Sequence, residues 1–238
     1  MKMISDGSLN TRSAFCSMPY SDIFPDFYGT LSYAPDQIEA YFHVATCHGF
    51  AIACHAIGDE ANTIVLNAAA STHAHGSIEH AQMLKPADIP RFAKLGLTAS
   101  IQPQHAMDDR DVITRFWANP GGIPYAFKAL HDAGVRLRMG SDAPVAPLDP
   151  WMAISAAVFG TESSDREPFQ PEQCLDARTA LAASTAVGRD RPEPGEPADL
   201  VFLDRDPYAV STPEEMRAMP VAATMLAGRW TYSSLHGE

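Results

Sequence analysis

The chain has 238 residues, of which 46% are hydrophobic and 19% charged, a balance that suits one large folded domain, or a large and a small one, and excludes a disordered chain. A formal net charge of −12 argues against nucleic acid or an anionic membrane surface as partner. No apolar run approaches the ~20 residues that span a bilayer, and the opening Met-Lys-Met-Ile-Ser-Asp-Gly turns polar too soon for a secretory signal. Cys16, Cys47, Cys54 and Cys174 form no Cys-x-x-Cys pair, so a reduced, cytoplasmic setting is expected.

In chain order, residues 1–5 read as a short strand and 6–34 as a long loop rich in Gly, Ser, Pro and aromatics. Asp36, with Pro35 before it, is expected to cap a helix through about His48 that Gly49 closes. A strand is predicted over 50–54, a helix over 59–71, a strand over 76–80, a helix over 86–95 and a strand over 97–102. A further loop leads to a helix over 123–133 closed by Gly134, a strand over 135–140 and a helix over 150–159. The last helix of this series is expected over 171–186, with Glu172 in its first turn where the helix dipole favours it. Repeated strand–helix alternation implies parallel strands joined by helical crossovers. Near Gly195 the pattern changes, and 198–204, 221–227 and 230–232 read as strands of an antiparallel unit, the last two joined by a turn at Gly228-Arg229. The boundary is drawn between 1–190 and 191–238.

Three chemistry-bearing residues stand at predicted strand ends. Phe50–Cys54 leads to His55, Gly76–Glu79 leads to His80, and Asp142 follows the strand 135–140 after Gly140 and Ser141. Parallel strands present their C-terminal ends on one side, so His55, His80 and Asp142 can converge on one divalent ion. Imidazoles suit zinc, and a carboxylate beside an attacking water can take its proton. Taken singly, each has an ordinary structural account: a core or loop histidine, or a turn-forming aspartate. Asp59, four residues after His55, reads equally as a partner of that histidine or as a helix cap. His43, His48 and His131 fall on predicted helices and His236 in the tail, and all four read as structural or exposed.

Six ordered segments give a more specific reading: Lys2-Met3-Ile4-Ser5-Asp6-Gly7-Ser8-Leu9, His55-Ala56-Ile57-Gly58-Asp59, Glu79-His80-Ala81-Gln82, Gln102-Pro103-Gln104-His105, Gly140-Ser141-Asp142-Ala143-Pro144-Val145 and Gly195-Glu196-Pro197-Ala198-Asp199-Leu200-Val201. On these the chain resembles the C-terminal portion of a metal-dependent amidohydrolase, of amidohydrolase family 3 and its subgroup of N-substituted formamide deformylases. The resemblance implies an α/β chain made of the last five strand–helix units of a (β/α)8 barrel of TIM type, followed by the C-terminal part of a small β-sandwich. It implies hydrolysis of amide or N-formyl-type carbon–nitrogen bonds other than peptide bonds, with Asp142 as general base. It implies a divalent metal, zinc, as one or two ions held by His55, His80, Asp142 and Lys2, with Lys2 carboxylated. Gln102 and His105 would line the pocket of a small-molecule amide, with Asp6 and Arg12 as remoter candidates.

The chain also departs from the family's pattern. The family's first barrel strand carries a His-x-His pair, whereas here the one such pair, His73-Ala74-His75, lies between a helix and a strand and reads as two loop residues. The matched region is expected to start at the family's fourth strand, and the stretch 184–189 that joins barrel to sandwich is short for the family. An inactive fragment that serves as a folding, assembly or metal-binding unit is therefore the alternative. In either case a sheet with open edges predicts homo-oligomerisation or association with an N-terminal portion. The loop aromatics Phe15, Tyr20, Phe24, Phe27 and Tyr28 suit an aromatic substituent on the substrate, and serve equally to pack the loop.

Overall fold

The computed structural model describes residues 1–235, so His236 lies outside the described residues. The N-terminal part alternates strand and helix: β1 (Lys2–Ile4), α1 (Pro35–Cys47), β2 (Ile52–Ala56), α2 (Asp59–Thr72), β3 (Gly76–His80), β4 (Met83–Leu84), α3 (Ile89–Leu95), β5 (Thr98–Ile101), α4 (Pro103–Phe116), β6 (Ile123–Pro124), α5 (Phe127–Asp132), β7 (Arg136–Met139) and α6 (Pro150–Phe159). A 3-10 turn over Pro171–Gln173 and α7 (Ala177–Ser184) follow. Then come β8 (Leu200–Leu203), α8 (Pro213–Arg217), β9 (Val221–Leu226) and β10 (Arg229–Ser233).

Five of these strands form one parallel sheet in the order β1-β2-β3-β5-β7, so the α/β class and the five strand units are as expected. Register explains which side chains face where. Met3, Cys54, Ile78, Ala99 and Leu137 stand in one row across the sheet. All five are buried, because side chains alternate along a strand and this face lies under the helices. The next row, Ile4, His55, Glu79, Ser100 and Arg138, points to the other face. So does the row of Lys2, Ala53, Ser77, Thr98 and Arg136. Every member of these two rows is half-buried or exposed. The central sheet is thus hydrophobic on its helix side and polar on its open side.

β8, β9 and β10 form an antiparallel three-stranded sheet in the order β10-β9-β8. It is tied to the first part through α8: Ser155 Oγ donates to the Pro213 carbonyl at 3.1 Å, and Ser164 N and Oγ donate to the Glu214 carboxylate.

Several boundaries differ from the sequence reading. Pro35 takes the first position of α1 and Ala34 precedes it, so Asp36 sits in the first turn and caps nothing. The stretch after Gln102 is a 14-residue helix, not a loop. Pro103 occupies its first position, where the missing N–H costs nothing, and the charged run Asp108-Asp109-Arg110-Asp111 hides its apolar face of Ala106, Met107, Ile113 and Phe116. Ile123–Pro124 forms a short ladder with Met83–Leu84, which delays α5 to Phe127. The expected helix over 171–186 is split, with Glu172 in the 3-10 turn and Asp176 capping α7 through the Thr179 N–H at 2.9 Å.

Candidate metal centre

His80 ends β3 and Asp142 follows β7, and both residues adopt left-handed backbone, with φ of 70° and 55°. The chain turns sharply at each point, which carries the two side chains out of their strands. His105 reaches the same place differently, from the first turn of α4. One potential ligand atom from each of His80, His105 and Asp142 lies within 4.8 Å of the other two. His80 Nε2 stands 4.0 Å from Asp142 Oδ2, and the His80 and His105 rings stack at 5.7 Å. His80 is buried, His105 half-buried and Asp142 exposed.

These residues suit a divalent cation. His80 Nδ1 and His105 Nε2 are both buried without a hydrogen-bond partner, an arrangement costly to an imidazole unless something else takes the lone pair or proton. Burial, together with the imidazoles of His55 and His105 and the ammonium of Lys2, pulls the His80 pKa down to about 3. The ring is therefore neutral at physiological pH, the form that ligates metal.

His55 stands beside this cluster on the open face of β2, with its ring centroid 4.5 Å from that of His80. Its Nε2 is engaged by the Gly7 carbonyl at 3.0 Å and lies 3.5 Å from Asp6 Oδ1. Lys2 is exposed on the same face, and its charge reaches His80. Gln102 is buried just before α4; its Nε2 donates to the Ser100 carbonyl at 3.0 Å and its Oε1 has no partner.

Asp6 is a residue whose part the sequence understated. Its buried carboxylate accepts from the backbone N–H groups of Phe15, Ile57 and Gly58 at 2.9–3.1 Å. Burial nevertheless raises its pKa to about 6. It fastens the long loop to the turn after His55. Asp59 ties down the same loop further along. It is the first residue of α2 and accepts from Ser17 N at 2.9 Å and from Ser17 Oγ, so it neither contacts His55 nor caps the helix from outside. Arg12 pairs with Asp22 and lies over the Phe116 ring at 3.6 Å. Among the loop aromatics Tyr20 is buried against Phe27 and Trp117, while Phe24 is almost wholly exposed. His73 and His75 lie between α2 and β3, both exposed.

Comparison with known proteins identifies the family. The model of a family described as the amidohydrolase family matches residues 1–232. Protein LONG AFTER FAR-RED 3 of Arabidopsis thaliana is 30% identical over 98% of this chain and 42% of its own length. The N-substituted formamide deformylase of Arthrobacter pascens is 27% identical over 86% of this chain and 40% of its own. A metal-dependent hydrolase from Pyrococcus horikoshii, known by its crystal structure, superposes with a TM-score of 0.78 at 31% identity, covering 88% of this chain and 45% of that one. The chain thus spans less than half the length of the curated relatives it matches.

Proposed function

The chain belongs to the amidohydrolase family, and from that membership we propose that it is a metal-dependent hydrolase of carbon–nitrogen bonds other than peptide bonds, with a small amide or N-formyl compound as substrate. The observation that carries the reading is the meeting of His80, His105 and Asp142 within 4.8 Å, with two imidazole nitrogens buried and unpartnered. These three would hold the ion, with His55 and Lys2 beside them for a second. A bound divalent cation, zinc above all for this donor set, supplies carbonyl polarisation and a lowered pKa for its water.

The remaining chemistry falls to the chain. Asp142 is exposed, so its carboxylate can take a proton from the attacking water and return it to the departing amine. Gly7 and Asp6 fix the plane of the His55 ring, as an oriented ligand or donor requires. Gln102 is the further candidate for holding the substrate amide; its Oε1 is buried and has no partner within the fold. Around this centre we read the parallel sheet and its helices as a partial (β/α)8 barrel, residues 1–190, and residues 191–238 as part of a small β-sandwich. The four free cysteines, two of them buried, suit a reducing cytoplasm, and among the described residues no helix is long and apolar enough to cross a membrane.

Elemental analysis of the purified chain tests the reading. Roughly one zinc-class ion per chain is expected, lost in His80→Ala and His105→Ala. Asp142→Asn should retain most of the metal and hydrolyse nothing in a panel of N-formyl and other simple amides. A wild-type chain that takes up no zinc, or an Asp142→Asn variant as active as wild type, contradicts it. A second reading, an assembly or metal-binding unit without turnover of its own, draws on the open polar face of the sheet. Metal uptake with no turnover of any amide would select it.

A further inference from the structure

The turn that carries His80 is strained and has an identifiable brace. His80 and Ala81 are consecutive non-glycine residues with φ of 70° and 43°. Left-handed backbone is unfavourable for any residue with a side chain, so the pair persists only where its surroundings dictate it. The next residue is held at both of its polar ends. The Gln82 carbonyl accepts from Tyr125 N, and Gln82 Nε2 donates to Asp109 Oδ2 at 2.9 Å.

Asp109 stands on α4, four residues after His105 and so on the same side of the helix. Its buried carboxylate also accepts from Tyr125 Oη at 2.6 Å and from Asn10 Nδ2 at 2.7 Å. One carboxylate thereby joins the His80 turn, the helix that bears His105, the segment before α5 and the long loop. All three donors are neutral, so the group owes its place to geometry: two oxygens accept three bonds from three directions.

We propose that Asp109 is a positioning residue for the metal centre, fixing the His80 turn against α4 and so setting the separation of the His80 and His105 imidazoles. Its consequence for hydrolysis rests on the metal-dependent reading above; its effect on the two rings does not. A carboxamide replaces the carboxylate only in part. Asparagine offers one acceptor oxygen where the carboxylate has two, so either Asn10 turns its amide over or the Gln82–Tyr125 pair loses an acceptor.

The test compares Asp109→Asn, Gln82→Met and a control, Asp88→Asn. Asp88 is a buried carboxylate bonded to Thr63 and Arg91, outside the centre. The first measurement is the imidazole NMR signals of the metal-free chain. Asp109→Asn and Gln82→Met should both shift His80 and His105 and leave His43, exposed on α1, in place. Asp88→Asn should move none of them. The second is zinc affinity, expected to fall roughly 10–100-fold in the two brace variants, as loss of a group that orients ligands does, and not in the control. Unchanged His80 and His105 signals in folded Asp109→Asn overturn the proposal, and so does an equal effect of Asp88→Asn. If Asp109→Asn does not fold, Gln82→Met decides by the same signals. A wild-type chain that binds no zinc removes the hydrolase reading, while the metal-free signals still judge the brace.

Discussion

His80 is neutral in the fold because a protonated ring there would be buried and would face other positive charge. Its pKa in the fold, about 3, lies below the ordinary 6.5. The stability it contributes is therefore complete above pH 6.5 and lost as pH falls through that window toward 3. Asp6 acts in the opposite sense: raised from 3.8 to about 6, it gains a proton and adds stability as pH falls between those values. Denaturant titrations across pH should show wild type losing stability on acidification and His80→Asn losing distinctly less; equal slopes would remove His80 as the cause. His80 and Asp142 are legible in the sequence because each stands at or just past the end of a strand, and apolar runs and glycines mark where strands end; His55, expected just past its strand, lies within β2 and outside the cluster of three. The meeting of His105 with His80 and Asp142 is not legible, since it depends on α4, whose charged middle conceals its buried face. Nor is Asp109, whose bond to Gln82 spans 27 residues and has no local signature.

Among the elements, β3 and α6 have the bounds that pattern alone predicts, since glycine or proline marks their starts and a period of side chains fills them. Glycine at the head of β3 is there for space as well as conformation. A Cβ on Gly76, at φ 137°, would lie 2.0 Å from the Ile52 carbonyl oxygen, within the sheet itself. Gly96 closes α3 at φ 67°, and a methyl group added there would meet nothing within 4 Å, so only the left-handed backbone resists substitution. Gly96→Ala should cost about 1–2 kcal/mol, and Gly76→Ala clearly more, because β2 must move away from β3. Chemical denaturation of the two variants measures the difference, and a smaller loss for Gly76→Ala would show that the strand pair yields easily. α4 escapes a reading of the sequence because of the charged run in its middle, and the β4–β6 ladder because a proline stands within it, where it marks a break in most chains.

At the scale of the molecule, the sheet is covered on one face and carries Lys2, His55, Glu79, Arg136 and Arg138 on the other, and among the described residues β1 and β7 are paired on one side only. Parallel sheets are ordinarily covered on both faces, and unpaired strand edges invite partners. Light scattering of the purified chain is expected to show concentration-dependent association, and a monodisperse monomer at all concentrations would contradict it. The alternation of strand and helix is enough to foresee the parallel sheet, whereas the uncovered face follows from register, which an apolar count does not contain. The order β1-β2-β3-β5-β7 has one more consequence, for synthesis. Each strand of the sheet lies beside the one made before it, with no later strand inserted between earlier neighbours. A chain emerging from the ribosome can therefore lengthen its sheet one unit at a time, each new strand closing only the crossover made just before it, and need not wait for its last strand before earlier ones pair.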